Sequence, residues 1–208
     1  MPTSESDRPL STTANGRTAE HDVDPMFLER WSPRAFTGEP MQDGELMTLF
    51  DAARWAPSAF NGQPWRFVYA HRDTEDWIRL FDILIPFNQM WVKNASALAF
   101  VISDRFRRVD GQPPSPVHSH SFDAGAAWAC LALQAVRMGW ATHGMVGLQM
   151  AKAYEVLGVP ETDYRIEAAI AIGRKADVSV LDEPFRAREI PSLRNPVSSF
   201  VHKGHFKD

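Results

Sequence analysis

The sequence predicts an α+β fold, with a central sheet and helices packed around it. Residues 43–55 and 122–138 carry apolar side chains at helical spacing, as core-facing helices do. Residues 95–102 form an apolar run of strand length, and residues 165–172 alternate like a half-buried strand. With 208 residues, 44% of them apolar, and no internal repeat, the chain fits one domain with a sizeable core.

Composition excludes several classes of function. A net charge of −4 implies no broad basic surface, so nucleic acid is not expected as a partner. Cys130 is the only cysteine, which rules out an intrachain disulfide and makes the cytoplasm the simplest compartment. Residues 1–22 are polar and resemble neither a signal peptide nor a membrane anchor, so we expect a flexible tail before a domain at 23–208. The longest apolar run, 124–136, is too short to span a membrane.

The first candidate site lies in residues 30–36. Pro33 keeps the preceding residue out of the helical region, so the segment should be partly extended. Residues two apart in an extended segment share a face, and Arg30, Ser32 and Arg34 would then point toward one place. Two guanidinium groups and a hydroxyl suit a phosphate, although two solvated surface arginines would give the same pattern.

The second candidate site is the stretch 56–67, A-P-S-A-F-N-G-Q-P-W-R-F. Ser58, Asn61 and Gln63 bring one hydroxyl and two carboxamides close together. A carboxamide offers an acceptor and donors side by side, as a planar heterocycle with alternating C=O and N–H groups requires. The prolines and the glycine make a regular element improbable here. An ordinary helix-to-strand turn is the alternative interpretation.

The remaining elements are predicted from periodicity and from helix or strand breakers. A short helix is expected to begin at Asp24-Pro25, where a capping carboxylate precedes a proline. The other predicted elements are a strand at 65–71, a helix at 73–85 ended by Pro86, an unassigned segment 87–94, a loop at 139–147, a helix at 150–157 and a terminal strand at 197–206 that crosses to a partner.

Residues 105–121 form the least regular interior stretch of the sequence. A loop of this length inside a compact domain is usually functional or disordered, and we expect a mobile flap near a substrate opening. His118 and His120 have no third ligand at a typical spacing, so no metal site is predicted.

The helix at 122–138 is apolar on nearly every side. Such a helix must be buried all round, either at the centre of the domain or against a second subunit. Gly125, Ala126, Ala129 and Ala132 would allow another helix to approach closely. A core helix and a dimer helix both remain open at this point.

The loop 139–147 contains three glycines, which permit a ligand to approach the backbone closely. His143 lies in its middle. A histidine there is either a proton donor near pH 7 or an ordinary loop residue with its hydrogen bonds satisfied.

Two motifs resemble signatures of the nitroreductase superfamily, the FMN-dependent, NAD(P)H-oxidising homodimers. These are R-x-S-x-R-x-F from Arg30 and A-P-S-x-x-N-x-Q-P-W-x-F from Ala56. Residues 139–147 resemble the loop beside the flavin. Residues 191–197 are similar to the C-terminal K-x-R-x-P-L segment, with Ser192 in place of the lysine, so that Arg194 alone keeps the phosphate contact. The resemblance implies that FMN is bound by Arg30, Trp31, Ser32, Arg34, Pro57, Ser58, Ala59, Asn61, Gln63, His143, Gly144, Met145, Arg174 and Arg194, with Arg174 the weaker phosphate candidate.

The resemblance also implies a mostly antiparallel sheet in an intertwined homodimer, with two FMN sites at the interface. The arginine segment, the 139–147 loop and Arg194 would come mainly from one subunit, and Ser58, Asn61 and Gln63 from the other.

In function, the resemblance implies that hydride passes from NADH or NADPH to FMN and then to a small aromatic acceptor such as a nitroaromatic or quinone, in a ping-pong scheme. The flavin would carry this chemistry, so no catalytic side chain is predicted. No Rossmann fingerprint is present, and the nicotinamide donor would bind only transiently. The alternatives are a specialised flavoenzyme of the same fold (flavin-consuming, dehalogenating or ene-reducing) and a non-catalytic FMN-binding or storage protein.

Overall fold

The computed structural model describes residues 13–207. The helices are α1 (Pro25–Glu29), α2 (Asp43–Arg54), α3 (Glu75–Phe81), α4 (Pro86–Val92), α5 (His120–Arg137), α6 (Met150–Leu157) and α7 (Glu183–Arg186). The strands are β1 (Trp65–His71), β2 (Ala97–Asp104), β3 (Phe106–Arg107), β4 (Ser115–Pro116), β5 (Ala141–Met145) and β6 (Tyr164–Gly173).

The main sheet has the order β1-β2-β6-β5, and every neighbouring pair is antiparallel. All eight residues of β2 are buried, as the apolar run at this position predicts. A strand buried on both faces needs a helical layer on each side. Strands β3 and β4 form a separate short hairpin between β2 and α5.

Helices cover both faces of this sheet and create two apolar clusters. On one face α2 and α5 contribute Leu46, Leu49, Ala127 and Leu131. On the other face Phe36, Leu80, Trp91 and Phe185 pack against the sheet from the α3, α4 and α7 side. The predicted α+β fold with a central antiparallel sheet is confirmed.

One detail of β6 differs from the prediction. The alternation placed Ile166 on the same face as Ile170 and Ile172, but Ile166 belongs to the opposite cluster. A bulge where β2 passes from Val101 to Ile102 inserts an extra residue, Glu167, and shifts the register. Each residue before the bulge therefore faces the other way.

Several element boundaries also differ from the sequence prediction. The predicted helix at 73–85 is shorter, since α3 already ends at Phe81, and Pro86 does not end it but is the first residue of α4, which continues into the segment 87–94 that the sequence leaves unassigned. Residues 141–145, predicted as loop, form edge strand β5. The predicted terminal strand at 197–206 is wrong, since the structure has only a 3-10 turn at Val197–Ser199 there. Residues 1–12 of the predicted tail lie outside the described residues, whereas Arg17 is buried against the domain at 8% exposure.

The contact between β6 and the segment after α1 yields a first testable prediction. A Cβ on Gly173 would lie 2.7 Å from Cδ1 of the buried Phe36 ring. We expect Gly173→Ala to destabilise the domain by about 1–3 kcal/mol through overpacking. Gly44→Ala in α2, where a Cβ meets no atom within 4 Å, is the control. Thermal unfolding of both variants measures the difference, and equal midpoints would contradict this account.

Candidate functional site

The arginine-containing segment after α1 is fixed by contacts from distant parts of the chain. One oxygen of the Glu189 carboxylate, Oε1, accepts the backbone N–H groups of Arg34 at 2.7 Å and Ala35 at 2.8 Å. The carbonyl of Pro33 accepts a hydrogen bond from His143 at 3.0 Å. Because both sides of this irregular segment are bonded, the side chains that it carries are held in position.

Arg30 and Ser32 lie together at the centre of the candidate site. A guanidinium N–H of Arg30 donates to the Ser32 hydroxyl at 3.3 Å. Both residues line a cavity of about 440 Å³, together with Gly144 of β5 and the second half of α5. A Cβ on Gly144 would come within 3.2 Å of the Trp128 ring, so only glycine leaves this contact unstrained. The cavity therefore presents a guanidinium, a hydroxyl and bare backbone side by side.

Two more arginines converge on Arg30. Burial lowers the pKa of Arg30, and the nearby charge of Arg194 lowers it further. The pKa of Arg17 is lowered by burial and then by Arg194 and Arg30. Within residues 13–207 none of the three forms an ion pair with a carboxylate. A cluster of unneutralised guanidinium groups is suited to a multiply charged anion, and the residues present fit a phosphate group.

Arg17 explains how the cluster is assembled. Its guanidinium donates to the carbonyl groups of Ser192 at 3.0 Å, Leu28 at 3.1 Å and Arg30 at 2.9 Å. These bonds tie the end of α1 to the C-terminal segment that carries Arg194. The sequence gives no signal for this role, because the residue belongs to a stretch with the composition of a tail.

The other two predicted phosphate ligands have different surroundings. Arg34 lies 3.9 Å from the Glu189 carboxylate and 5.9 Å from the centre of the Trp91 ring, so its charge is balanced locally. Arg174 donates to the Met138 carbonyl at 2.8 Å and its guanidinium lies 3.9 Å from the centre of the Trp140 ring. Two carboxylates, Glu39 and Glu45, also lie within 4 Å of Arg174. These contacts favour a structural role for Arg174 over a phosphate contact.

His143 is neutral at pH 7. Burial is the main cause that lowers its pKa, to about 4, and the charges of Arg34 and Arg30 act in the same direction. Since the Pro33 carbonyl can only accept, Nδ1 of His143 carries the proton. The imidazole also packs on the Trp91 ring, with 4.5 Å between ring centres. In this single chain the imidazole is therefore neutral near pH 7, and its Nδ1–H holds the arginine segment through the Pro33 carbonyl.

The depressed pKa of His143 predicts a pH-dependent stability. The unfolded chain takes up a proton near pH 6.5 and the folded chain only near pH 4. The contribution of His143 to the free energy of unfolding is therefore constant above about pH 7. It decreases by about 3 kcal/mol as the pH falls from 6.5 to about 4, because only the unfolded chain binds the proton there. Urea unfolding of the wild type and of His143→Gln between pH 7.5 and 4.5 measures it. We expect the stability difference between them to shrink toward low pH, whereas parallel curves would contradict the assignment.

The polar loop 56–63 has a strained backbone. Phe60, Asn61 and Gln63 have φ angles of 52°, 52° and 47°, in the left-handed region that non-glycine residues rarely adopt. Each costs about 1 kcal/mol or more. The Ser58 hydroxyl accepts the backbone N–H of Gln63 at 3.0 Å, while the carboxamides of Asn61 and Gln63 lie at the exposed surface. Such strain is common at ligand-binding loops.

The carboxylate of Asp123 anchors this loop to α5. It is 3% exposed and accepts the backbone N–H of Ala59 at 3.1 Å and the hydroxyl of Ser119 at 3.0 Å. A carboxylate near the start of a mostly apolar helix marks Asp123 in the sequence as a residue that needs polar partners, but it does not indicate which loop supplies them.

Within one chain the two candidate sites lie apart. Asp123 holds the polar loop at the beginning of α5, whereas the cavity of Arg30 adjoins Ala129–Leu133. Asp123 precedes Trp128 and Leu133, which both line this cavity, by five and ten residues, so roughly 8–15 Å of helix separates the two sites. Arg30, Ser32 and Gly144 line one cavity, the charge of Arg194 acts on Arg30, and the charges of Arg34 and Arg30 act on His143. The predicted site residues that do not line this cavity are Trp31, Arg34, Pro57, Ser58, Ala59, Asn61, Gln63, His143, Met145, Arg174 and Arg194.

Two further classes of site are absent from the described part of the chain. Within residues 13–207 no group of three or more His, Cys, Asp or Glu side chains is placed to hold a metal ion. None of the helices in this range has both the length and the apolar character needed to cross a bilayer.

Comparison with known proteins gives consistent matches. The model of the Nitroreductase family matches residues 28–96, which include the arginine motif at 30–36 and the polar loop motif at 56–67. One solved structure, of an oxidoreductase containing FMN, is 48% identical, with 95% of this chain and 99% of that chain covered and a TM-score of 0.91.

More distant solved structures share the fold. A putative nitroreductase from Desulfovibrio desulfuricans subsp., in complex with FMN, is 22% identical, with coverage of 89% and 99% and a TM-score of 0.67. A nitroreductase family protein from Clostridium difficile 630 is 19% identical, with coverage of 87% and 97% and a TM-score of 0.66. No curated protein matches the chain.

Proposed function

The chain belongs to the nitroreductase family, and from this premise we propose that it is an FMN-dependent oxidoreductase. It would take hydride from NADH or NADPH and deliver it to a small aromatic acceptor such as a nitroaromatic or quinone. The observation that carries the proposal is the cluster of Arg17, Arg30 and Arg194 beside the cavity of Ser32 and Gly144. It offers a phosphate site next to space for a flat ring.

Each part of the site then has a defined task. FMN supplies the two-electron chemistry when bound. Arg30 and Arg194 would bind its phosphate by charge-assisted hydrogen bonds, and Ser32, which already accepts from Arg30, would add a hydroxyl. The exposed backbone of Gly144 would border the ring, while His143 would keep the arginine segment in place through its hydrogen bond to the Pro33 carbonyl. No side chain serves as a nucleophile or as a general base.

We further propose a homodimer in which each FMN contacts both chains. The outward side of α5 is apolar, and Phe122 is 81% exposed there, next to Gly125 and Ala129. If two copies of α5 cross antiparallel about a two-fold axis, the beginning of one helix meets the second half of the other. An axis near residues 127–128 would place the loop held by Asp123 against the partner's cavity. This pairing supplies the carboxamides that one chain alone leaves roughly 8–15 Å away along α5.

Anaerobic spectroscopy of the purified protein tests the proposal. The protein is expected to carry FMN, to lose its visible absorbance when NADPH or NADH is added, and to regain it when a nitroaromatic is added next. Bleaching without recovery would favour a specialised flavoenzyme. A bound flavin that neither nicotinamide bleaches would favour storage or sensing. A protein that binds no FMN would refute the proposal. The cytoplasm is the compartment that we propose for this activity.

A further inference from the structure

A second cavity lies on the polar loop and is separate from the cavity of Arg30. It has a volume of about 310 Å³ and lies between the 59–64 loop and the β3–β4 hairpin with the residues just after it. Its lining combines the aromatic ring of Phe60, the guanidinium of Arg107 and the imidazole of His118. The hairpin is the segment in which the sequence predicts a flap near a substrate opening.

Phe60 is held in an unusual position. Its side chain is 85% exposed, and its φ angle of 52° is one that bulky residues rarely adopt. Neighbouring hydrogen bonds fix this conformation, from the Ala59 N–H to Asp123 and from the Gly62 N–H to the Ala59 carbonyl. The ring of Phe60 is thus held in a solvent-exposed position at the opening of the cavity.

Arg107 contributes a positive charge that the described part of the chain leaves unpaired. Its guanidinium lies 5.1 Å from the centre of the Phe60 ring, and no carboxylate within residues 13–207 forms an ion pair with it. The next residue differs, because Arg108 pairs with both Asp104 and Asp163. Arg107 is therefore the cation of this hairpin that remains available to a ligand.

The one carboxylate at this cavity does not cancel that charge. Asp123 is buried, and its Oδ2 accepts hydrogen bonds from the Ala59 N–H and the Ser119 hydroxyl. It also lies in the first turn of α5, where the positive end of the helix dipole stabilises an anion. Hydrogen-bond donors within the chain therefore compensate the charge of Asp123, whereas no carboxylate within residues 13–207 compensates the charge of Arg107.

We propose that this cavity selects aromatic carboxylates as electron acceptors, an inference that rests on the proposed function. The guanidinium of Arg107 would bind the carboxylate through forked hydrogen bonds, while Phe60 contacts the aromatic ring. The position fits an acceptor site, because the 58–63 loop that borders the cavity is also the loop proposed to contact FMN across the dimer. The substrate class is then a benzoate bearing a reducible group.

Paired substrates test this selectivity in the holoenzyme. The wild type is expected to reduce 4-nitrobenzoate with a lower KM than its methyl ester, which has the same ring without the charge. Arg107→Gln should raise the KM for 4-nitrobenzoate at least about tenfold, as the loss of one charge-assisted pair implies. The KM for the methyl ester should change less than about twofold under the same principle. Arg54→Gln is the control, because it removes one positive charge as Arg107→Gln does, but from an exposed ion pair with Asp51. It should leave the KM for both substrates unchanged.

The outcomes separate this inference from the proposed function. If the wild type and Arg107→Gln reduce both substrates alike, the selectivity is refuted while the proposed function stands. If neither nitro compound is reduced, reduction of nitroaromatics is removed from the proposed function, and the calorimetric affinities of the purified protein for benzoate and benzamide then decide the inference. Tighter binding of benzoate than of benzamide that disappears in Arg107→Gln supports it. Equal binding of benzoate by both proteins overturns it.

Discussion

Arg30→Ala is expected to weaken FMN binding by about 10-fold to 100-fold without unfolding the protein. A charge-assisted hydrogen bond contributes about 1.5–3 kcal/mol, and each 1.4 kcal/mol is tenfold in affinity. The same substitution relieves repulsion between positive charges in the protein without FMN. The charge of Arg194 lowers the pKa of Arg30, and the charge of Arg30 lowers the pKa of Arg17. The apoprotein should therefore unfold at the same temperature as the wild type or higher. Titration of apoprotein with FMN, followed by flavin fluorescence, gives the affinity.

Two further arginines make the test specific. Arg79 is 60% exposed and pairs with Asp76, so Arg79→Ala should leave the FMN affinity unchanged. Arg34 balances the Glu189 carboxylate, which is only 4% exposed, so Arg34→Ala should lower stability by leaving a buried charge unpaired. An FMN affinity of Arg30→Ala equal to that of the wild type would remove Arg30 from the phosphate site.

The fold was predictable where a segment has one strong periodic pattern. The β2 run, the α2 stripe and the α6 helix all appear as expected, and α6 ends at a left-handed Gly158. Strand β5 was missed because its glycine and histidine argue for a loop, whereas pairing with β6 decides its conformation. The reversed face of Ile166 depends on a bulge that local periodicity does not reveal.

The candidate site was predictable in its motifs and not in its supports. Arg30, Ser32 and Arg194 stand in recognisable patterns, and the structure brings them together. Glu189, which holds the backbone of the arginine segment, is about 155 positions away, and no local signal connects the two. The helix α5 shows a different limit, since an apolar composition on all sides does not tell which side the domain covers. The structure answers that question, as it buries Ala124, Ala127, Leu131 and Ala135 and exposes the opposite side.

Gly125→Glu is expected to convert the proposed dimer into a folded monomer that no longer retains FMN. Gly125 is exposed, and a Cβ there meets no atom within 4 Å in a single chain. Replacing glycine inside α5 should even stabilise the isolated helix, by about 0.5–1 kcal/mol. Across a two-fold axis near residues 127–128, however, two carboxylates would be buried close together, which costs several kcal/mol. Analytical ultracentrifugation and the ratio of flavin to protein absorbance report the two effects.

The matched control is Gly44→Glu in α2, which adds the same charge at a helical glycine whose Cβ position is also free of contacts. It should remain a dimer with full FMN. The two measurements on Gly125→Glu test separate hypotheses, since ultracentrifugation tests the dimer interface and the absorbance ratio tests whether FMN needs both chains. A Gly125→Glu protein that stays dimeric would move the interface away from α5. A monomer that binds FMN as tightly as the wild type would show that the cavity of Arg30 needs no loop from a partner. The dimer and the bound FMN are expected to be lost together if Asn61 and Gln63 reach the flavin only from the second chain. In their own chain, roughly 8–15 Å of α5 lies between their loop and the cavity of Arg30.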